Sequence, residues 1–319
     1  MTDDITLLAR APGGSAPPPG HRSGYVAVVG KPNVGKSTLV NALVGHKVAI
    51  TSPKPQTTRR RILGILTRDD AQVLFVDTPG IHAPRQALNE FMMREVEFAL
   101  GDCDAILFVA DVSRPPDDDD RRVVERIRGL RQPRVMALNK ADLMDAAGGP
   151  DHVRQFQALF GSEETFFTSG IDIRRANLDE LLNRLVVALP EGPEFYPADQ
   201  YTDQTERILA AELIREQALR FVEQEVPHAL AVSVDEYAVR ANQMIYLSAT
   251  ITVERDSQKG ILIGKGGQML KRIGSESRRE IERQFGAKAY LELWVKVREG
   301  WRKDRRAVDE LLAGGAAGA

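Results

Sequence analysis

Eight residues near the start of the chain, Gly30-Lys31-Pro32-Asn33-Val34-Gly35-Lys36-Ser37, set two glycines, a lysine and a hydroxyl at the spacing Gly-x-x-x-x-Gly-Lys-Ser. Glycines at those places let consecutive backbone N–H groups close around phosphate oxygens, and a helix starting there adds positive potential. Lys36 then offsets the charge of β- and γ-phosphates, while the Ser37 hydroxyl, followed by Thr38, is placed to ligate magnesium. Two further patterns follow in order. Asp77-Thr78-Pro79-Gly80 offers a carboxylate for magnesium and, at Gly80, an N–H that can sense a γ-phosphate. Asn139-Lys140-Ala141-Asp142 ends in a carboxylate that can accept from the N1–H and 2-amino groups of guanine. Adenine has an acceptor at N1 and no 2-amino group, so this set of residues points to GTP and GDP. Each pattern alone also serves as an ordinary turn; their order along the chain is what carries the reading.

Such residues have to sit at the carboxyl ends of strands, where open α/β sheets bind ligands. From Tyr25 onward short apolar runs alternate with helical periods, which predicts an α/β fold with a mostly parallel, doubly wound sheet. Six strands are expected over 25–29, 61–66, 72–76, 105–110, 134–138 and 165–168. Helices are expected after Gly35, near Gln86, at Asp117, near Asp151 and at Asn177, the last ending before Pro190. Pro190, Pro193 and Pro197 mark a linker. The expected division is a disordered tail over 1–24, a nucleotide-binding domain over 25–190, a linker over 191–202, a second domain over 203–312 and a flexible tail over 313–319. The acidic run Asp117 to Asp120 reads as a helix start, where the dipole favours anions.

A chain of 319 residues, 43% hydrophobic, can bury the cores of two domains and is neither a collagen nor a disordered polymer. Its single cysteine, Cys103, excludes an internal disulfide or a zinc cluster, fits a reducing cytosol and reads as a core or boundary residue. No apolar run approaches the roughly 18 residues of a membrane helix. Asp3 and Asp4 stand where an export signal would carry basic residues, so a soluble cytoplasmic protein is expected.

Charge is distributed unevenly. Residues 255–306 carry fifteen Lys or Arg against seven Asp or Glu, although the whole chain has a net charge of only −2. In this region the expected order is helix, strand, strand, helix, strand, an α+β layer with elements over 203–223, 229–239, 243–254, 268–284 and 288–297. On the first helix Ile208, Ala211, Ile214, Ala218 and Phe221 form the apolar face, with Glu206, Glu212, Glu216 and Arg220 on the solvated one. Leu209 and Leu213 lie on that polar side, either meeting a neighbouring element or simply exposed. Gly264-Lys265-Gly266-Gly267 joins the apolar segment Ile261-Leu262-Ile263 to a basic helix containing Lys271 and Arg272. A Gly-x-x-Gly loop in that setting clamps single-stranded nucleic acid in KH domains. Lys265, Lys271, Arg272 and Arg278 supply phosphate attraction, and Ile261 and Ile263 either wall an apolar groove or belong to the core. Trp294 shares a strand face with Lys296 and Arg298 and is expected to pack under the C-terminal segment rather than to stack on a base. Trp301, Arg302, Lys303, Arg305 and Arg306 form a basic terminal element.

With these motifs in place, the chain from Tyr25 to about Arg306 resembles the bacterial Era-like GTPases, a GTPase domain followed by a type II KH domain. The resemblance implies hydrolysis of GTP to GDP with magnesium, and it makes the loop from Ala49 to Arg59 the first switch. Thr58, with Thr57 as the alternative, would join Ser37 and Asp77 around magnesium in the GTP state, so that Lys36, Thr58 and Gly80 carry the reaction. Ser169 would contact the base, although Gly170 departs from the family's Ser-Ala pair. Ile81 stands where Ras-like enzymes place a water-orienting glutamine, which implies that switch backbone groups and a cation organise the water. Asn33 would help hold potassium, or simply form the loop turn; His82 is a base in reach or a plain polar histidine. The implied partner is the small ribosomal subunit near the 3′ end of 16S ribosomal RNA, and the implied role is subunit maturation by a monomer with peripheral inner-membrane association. Two rival classes remain at this point: a GTPase acting at a membrane or on transfer RNA, and a nucleotide-responsive RNA scaffold with little turnover.

Overall fold

The computed structural model describes residues 20–54, 56–81, 86–145, 147–169 and 177–312. Its first unit takes the described residues of 1–49, 60–82 and 93–203. Here the apolar runs become β1 (Arg22–Val29), β2 (Ile62–Arg68), β3 (Ala71–Asp77), β4 (Ala105–Asp111), β5 (Arg134–Asn139) and β6 (Phe166–Phe167), in the order β2-β3-β1-β4-β5-β6. Only β2 runs antiparallel to its neighbour. Helices α1 (Lys36–Val44), α2 (Ala87–Asp102), α3 (Asp118–Arg128), α4 (Gly149–Phe160) and α5 (Leu178–Ala188) alternate with the strands. Because both sheet faces are covered, β1 is apolar without alternation from Tyr25 to Val29. Val26 and Val28 pack with Leu39 and Leu185 on one face, while Tyr25, Ala27 and Val29 pack with Val96, Val123 and Phe156 on the other.

Two boundaries differ from expectation. β1 begins at Arg22, paired with Ala71, so part of the expected tail is sheet. The expected linker belongs to this unit. Gln72 Oε1 accepts from the Phe195 and Tyr196 N–H groups at 2.7 and 3.0 Å, the Ile65 N–H donates to Tyr201 O, and Thr202 Oγ1 donates to Leu63 O. Prolines removed donors from this stretch, but the open edge of β2 and the side chain of Gln72 supplied partners, and covering that edge also blocks unwanted pairing. Cys103 is buried, and burial pushes its thiol up to about 12. At pH 8 about one molecule in ten thousand then carries the thiolate. Iodoacetamide should leave the native chain unlabelled for hours and label it fully in guanidinium chloride, as read by mass spectrometry; rapid native labelling would contradict this burial.

The second unit takes the described residues of 50–59, 83–92 and 204–319. It contains α6 (Glu206–Phe221), α7 (Val226–Ala229), β7 (Ala231–Val239), β8 (Ile245–Val253), α8 (Asp256–Ile263), α9 (Gln268–Phe285), β9 (Ala289–Val297) and α10 (Arg305–Leu312). β8 is the central strand, antiparallel to β7 and parallel to β9. The expected element order omitted α8: Ile261-Leu262-Ile263 is the last turn of that helix. Its start is held by Gln258, whose Oε1 accepts from the Glu254 and Arg255 N–H groups at 2.9 and 3.1 Å. Glu216, expected in solvent, is only 4% exposed and accepts from the Thr51 N–H at 2.9 Å. Leu209 and Leu213 are buried with it, and Ile50 joins the same core, so α6 is covered on the side that its sequence marks as polar. The two tryptophans differ in burial. Trp301 is fully buried, its Nε1 donating to Ala229 O at 2.9 Å, and Arg302 Nε donates to Glu254 at 2.9 Å, which anchors the basic terminal element. Trp294 is exposed, contrary to expectation. Residues 1–19 and 313–319, His82 and Gly170 lie outside the described residues. No described helix is long and apolar enough to cross a membrane.

Candidate nucleotide site and nucleic-acid groove

β1 delivers Gly30 and α1 begins at Lys36 with no side chain capping its first turn, which leaves N–H donors at the loop. Lys36 is buried, and its Nζ donates to Gly30 O and Lys31 O at 3.1 Å each. Burial lowers its ammonium to about 8, against the pull of Asp77. Phosphate oxygens are stronger acceptors than those two carbonyls. Ser37 Oγ donates to Asp77 Oδ2 at 2.6 Å, which brings two hard oxygen ligands together beside the lysine. That pair fits magnesium, which takes one or two protein oxygens and completes its shell with phosphate and water. Bound there, the ion would offset phosphate charge. Among the described residues no cluster of three or more His, Cys, Asp or Glu could hold a metal. The turn after β3 lies against the phosphate loop, with the Ile81 N–H donating to Gly30 O at 3.2 Å.

Asn139 braces the loop: its Nδ2 donates to Val34 O at 2.8 Å and its Oδ1 accepts from Thr168 Oγ1 at 3.1 Å. Gly35 has φ +97°, and a Cβ there would stand 2.4 Å from Asn139 Nδ2, so both conformation and space demand glycine. Lys140, with φ +60°, places its Nζ 2.7 Å from Asp111 Oδ2. Burial works to raise the Asp111 carboxyl, but its bonds to Lys140 and Ser113 outweigh it and hold the group below the usual range. Asp142 Oδ1 is buried and has no hydrogen-bond partner. Around it the Ala141 N–H donates to Thr168 O at 3.1 Å, and Ser169 is buried. A buried acceptor without a partner suits a ligand that presents donors.

In the second unit a three-residue turn, Lys265–Gly267, links α8 to α9. Gly266 and Gly267 have φ +59° and +77°, yet nothing lies within 4 Å of a Cβ at either. Backbone conformation rather than crowding requires glycine there, and the bare surface lets a nucleic-acid backbone approach. Gly264 precedes them, Lys265 and Lys271 are exposed, and the Arg272 guanidinium lies 4.3 Å from the centre of the Phe221 ring. The two isoleucines separate: Ile261 is 49% exposed, whereas Ile263 packs against the core. Beside the turn a groove of about 400 Å³ runs between α9 and β9, walled by Leu270, Lys271, Gly274, Arg278 and Leu291. Leu270, Gly274 and Arg278, four apart on one helix face, were the overlooked signal.

Residues 25–140 match the family of 50S ribosome-binding GTPases, and residues 225–302 match the KH domain. Era of Aquifex aeolicus, in a structure bound to GDP and AlF4−, is 38% identical, with a TM-score of 0.86 over 91% of this chain and 98% of that one. The chain belongs to the Era family of GTPases. A structure of Era in complex with MgGDPNP and nucleotides 1506–1542 of 16S ribosomal RNA matches at the same identity, coverage and TM-score. As an Era-family enzyme the chain hydrolyses GTP, using guanine nucleotide and magnesium, and its second unit contains a KH domain.

The Era-family site holds one pairing that sequence reasoning missed. Lys31, inside the phosphate loop, places its Nζ 2.7 Å from both Asp117 and Asp120. Asp117 also caps α3, accepting from the Asp119 and Asp120 N–H groups, so the acidic run serves the helix start and the loop together. Burial lowers the Lys31 ammonium, but the two carboxylates outweigh it and raise it overall. Ile81, which stands where Ras-like enzymes carry a glutamine, is buried in the core. Thr58, named above as a magnesium ligand, is buried in the second unit.

Proposed function

We propose that this Era-family GTPase is a GTP-driven switch whose KH domain binds single-stranded RNA at the 3′ end of 16S ribosomal RNA and assists maturation of the small ribosomal subunit. The basic Gly-x-x-Gly groove carries this reading, in a chain that spans 98% of an Era whose complex contains that RNA segment. Fluorescence-anisotropy titration at fixed salt tests it. Replacing Lys265 and Gly266 with aspartates should weaken binding of the 3′-terminal RNA by about 30-fold or more, through repulsion and lost backbone approach. Equal wild-type affinity for that RNA and a scrambled strand of the same length would remove the assignment.

In the same reading Gly30, Asn33, Gly35, Lys36, Ser37 and Thr38 surround the phosphates, and Asn139, Lys140, Asp142 and Ser169 form the guanine side. Ser37, Asp77 and, in the GTP state, Thr58 hold magnesium, and Gly80 reports the γ-phosphate. Monomeric state, cytoplasmic location and peripheral inner-membrane contact come with it from the resemblance alone. Asn33 is exposed in the loop at φ +64°, where a side-chain oxygen can share a potassium ion with the phosphates. Hydrolysis should be slow without a stimulating partner and several-fold faster in potassium than in sodium chloride. Asn33→Ala should erase that difference, and identical wild-type rates in the two salts would reject the cation role.

A further inference from the structure

The GTPase site and the groove leave one surface unused, the outer face of the three-stranded sheet. Its inner face is buried through Leu247, Ala249, Ile251 and Val253 of β8. On the outer face the register sets Tyr246 beside Tyr290 and Thr250 beside Trp294. The two tyrosine rings lie 5.8 Å apart between centroids at an interplanar angle of 11°, and the Arg240 guanidinium lies 4.6 Å from the centre of Tyr246. Trp294 is 59% and Tyr290 50% exposed, and both belong to the edge strand β9. Large rings left in water on one face mark a binding surface.

The chemistry of that face selects the occupant. Flat rings, a guanidinium and polar side chains stand there without an exposed Leu, Ile or Val, a set suited to stacking bases rather than to seating an aliphatic protein patch. Position supports the same choice. Tyr290 also lines the groove beside Gly267 and Lys271, so a strand leaving the groove past Tyr290 meets the stacked rings at once. Trp294 follows about 13 Å further along β9. Glu292 lies between the two rings and accepts from the Tyr246 hydroxyl at 3.3 Å, while Glu236 of β7 pairs with Ser248. Those carboxylates repel phosphates, which favours contact through the bases rather than through the backbone.

We infer that the outer face of β8 and β9 is a second RNA-binding surface, on which bases of a single strand emerging from the Gly-x-x-Gly groove stack on Tyr290 and Trp294. Tyr246 and Arg240 hold the first ring in place. This inference rests on the RNA reading of the groove.

The test uses the full chain and two RNAs from the 3′ end of 16S ribosomal RNA. One is the shortest strand whose binding is lost when Lys265 and Gly266 become aspartates; the other extends it by several nucleotides. Trp294→Ala should weaken the long strand about five-fold or more, with less than a two-fold effect on the short one. Trp294→Phe should recover most of the loss, because a ring remains. A 2-aminopurine in the extension should be quenched by the wild type and stay bright with Trp294→Ala. An equal loss on both lengths, or none on either, overturns the surface. So does a wild-type dimer that Trp294→Ala dissolves, since a second copy would then be the occupant. If the double aspartate variant binds both strands like wild type, the groove reading falls first, and this inference falls with it.

Discussion

Asp142→Asn should cost the enzyme about 100- to 10,000-fold in GTP affinity, because two hydrogen bonds to a charged acceptor, each worth about 1.5–3 kcal/mol, are lost or reversed. Oδ1 of Asp142 is buried and without a partner, beside a Lys140 ammonium and an Ala141 N–H that are both engaged. A carboxylate there accepts from two guanine donors. An asparagine presents one donor and one acceptor instead, which suits a purine with a 2-oxo group. Xanthosine triphosphate should therefore bind the variant better than GTP does and sustain its hydrolysis. Wild-type protein should reject ATP by a comparable factor, since ATP would leave the carboxylate unpaired and place an acceptor against it. Competition against fluorescent GDP measures all three nucleotides; equal ATP and GTP affinity in the wild type would end the guanine assignment.

Arg59→Ala should lower the stability of the second unit by about 3 kcal/mol or more, since each buried acceptor left without a donor costs about 1–3 kcal/mol. The Arg59 guanidinium is buried and donates to Leu230 O at 2.6 Å, Pro227 O at 3.1 Å and His228 O at 3.2 Å. Those carbonyls lie at the end of α7, where no further helical turn can satisfy them. Burial lowers the Arg59 guanidinium to about 9, helped by the charge of Arg215, so it remains protonated at neutral pH. It also lies 5.8 Å from the centre of the Trp301 ring. Removal strands three acceptors and opens a hole beneath that ring. Arg59→Lys should recover only part of the loss, because one ammonium cannot span three carbonyls. Urea unfolding followed by tryptophan fluorescence reads the change, and an unchanged midpoint in Arg59→Ala would show that the carbonyls find other partners.

The nucleotide site was legible because its chemistry is local. The loop from Gly30 to Ser37 and the four residues ending at Asp142 each declare their partner through residue type and spacing, and the strand ends only had to bring them together. Non-local partners were not legible. Glu216 looked solvated because nothing near it in the sequence announces Thr51, and Lys31 looked like a loop filler because Asp120 lies far along the chain. Alternation told which residues of β9 share a face but not which face is covered, so Trp294 was placed inside. Helix α8 escaped because its final apolar turn runs directly into glycine, and the Gln258 cap that starts it is no strong helix signal by itself.

Residues 50–59 belong by their contacts to the unit completed last, which sets an order on synthesis. Arg59 and its acceptor Leu230 are 171 residues apart, an interval that takes about 10–35 s to translate at common elongation rates. During that time β1 to β6 and their helices can close, but Arg59 has no carbonyls to meet, Arg215 cannot reach Thr57 O, and Ile50 has no core to enter. The nascent chain therefore carries an unshielded loop in an otherwise folded unit until α7 and β7 emerge. A fragment ending near Asp203 would hold that state permanently, so proteases should nick it between Ala49 and Arg60 while the full-length chain resists.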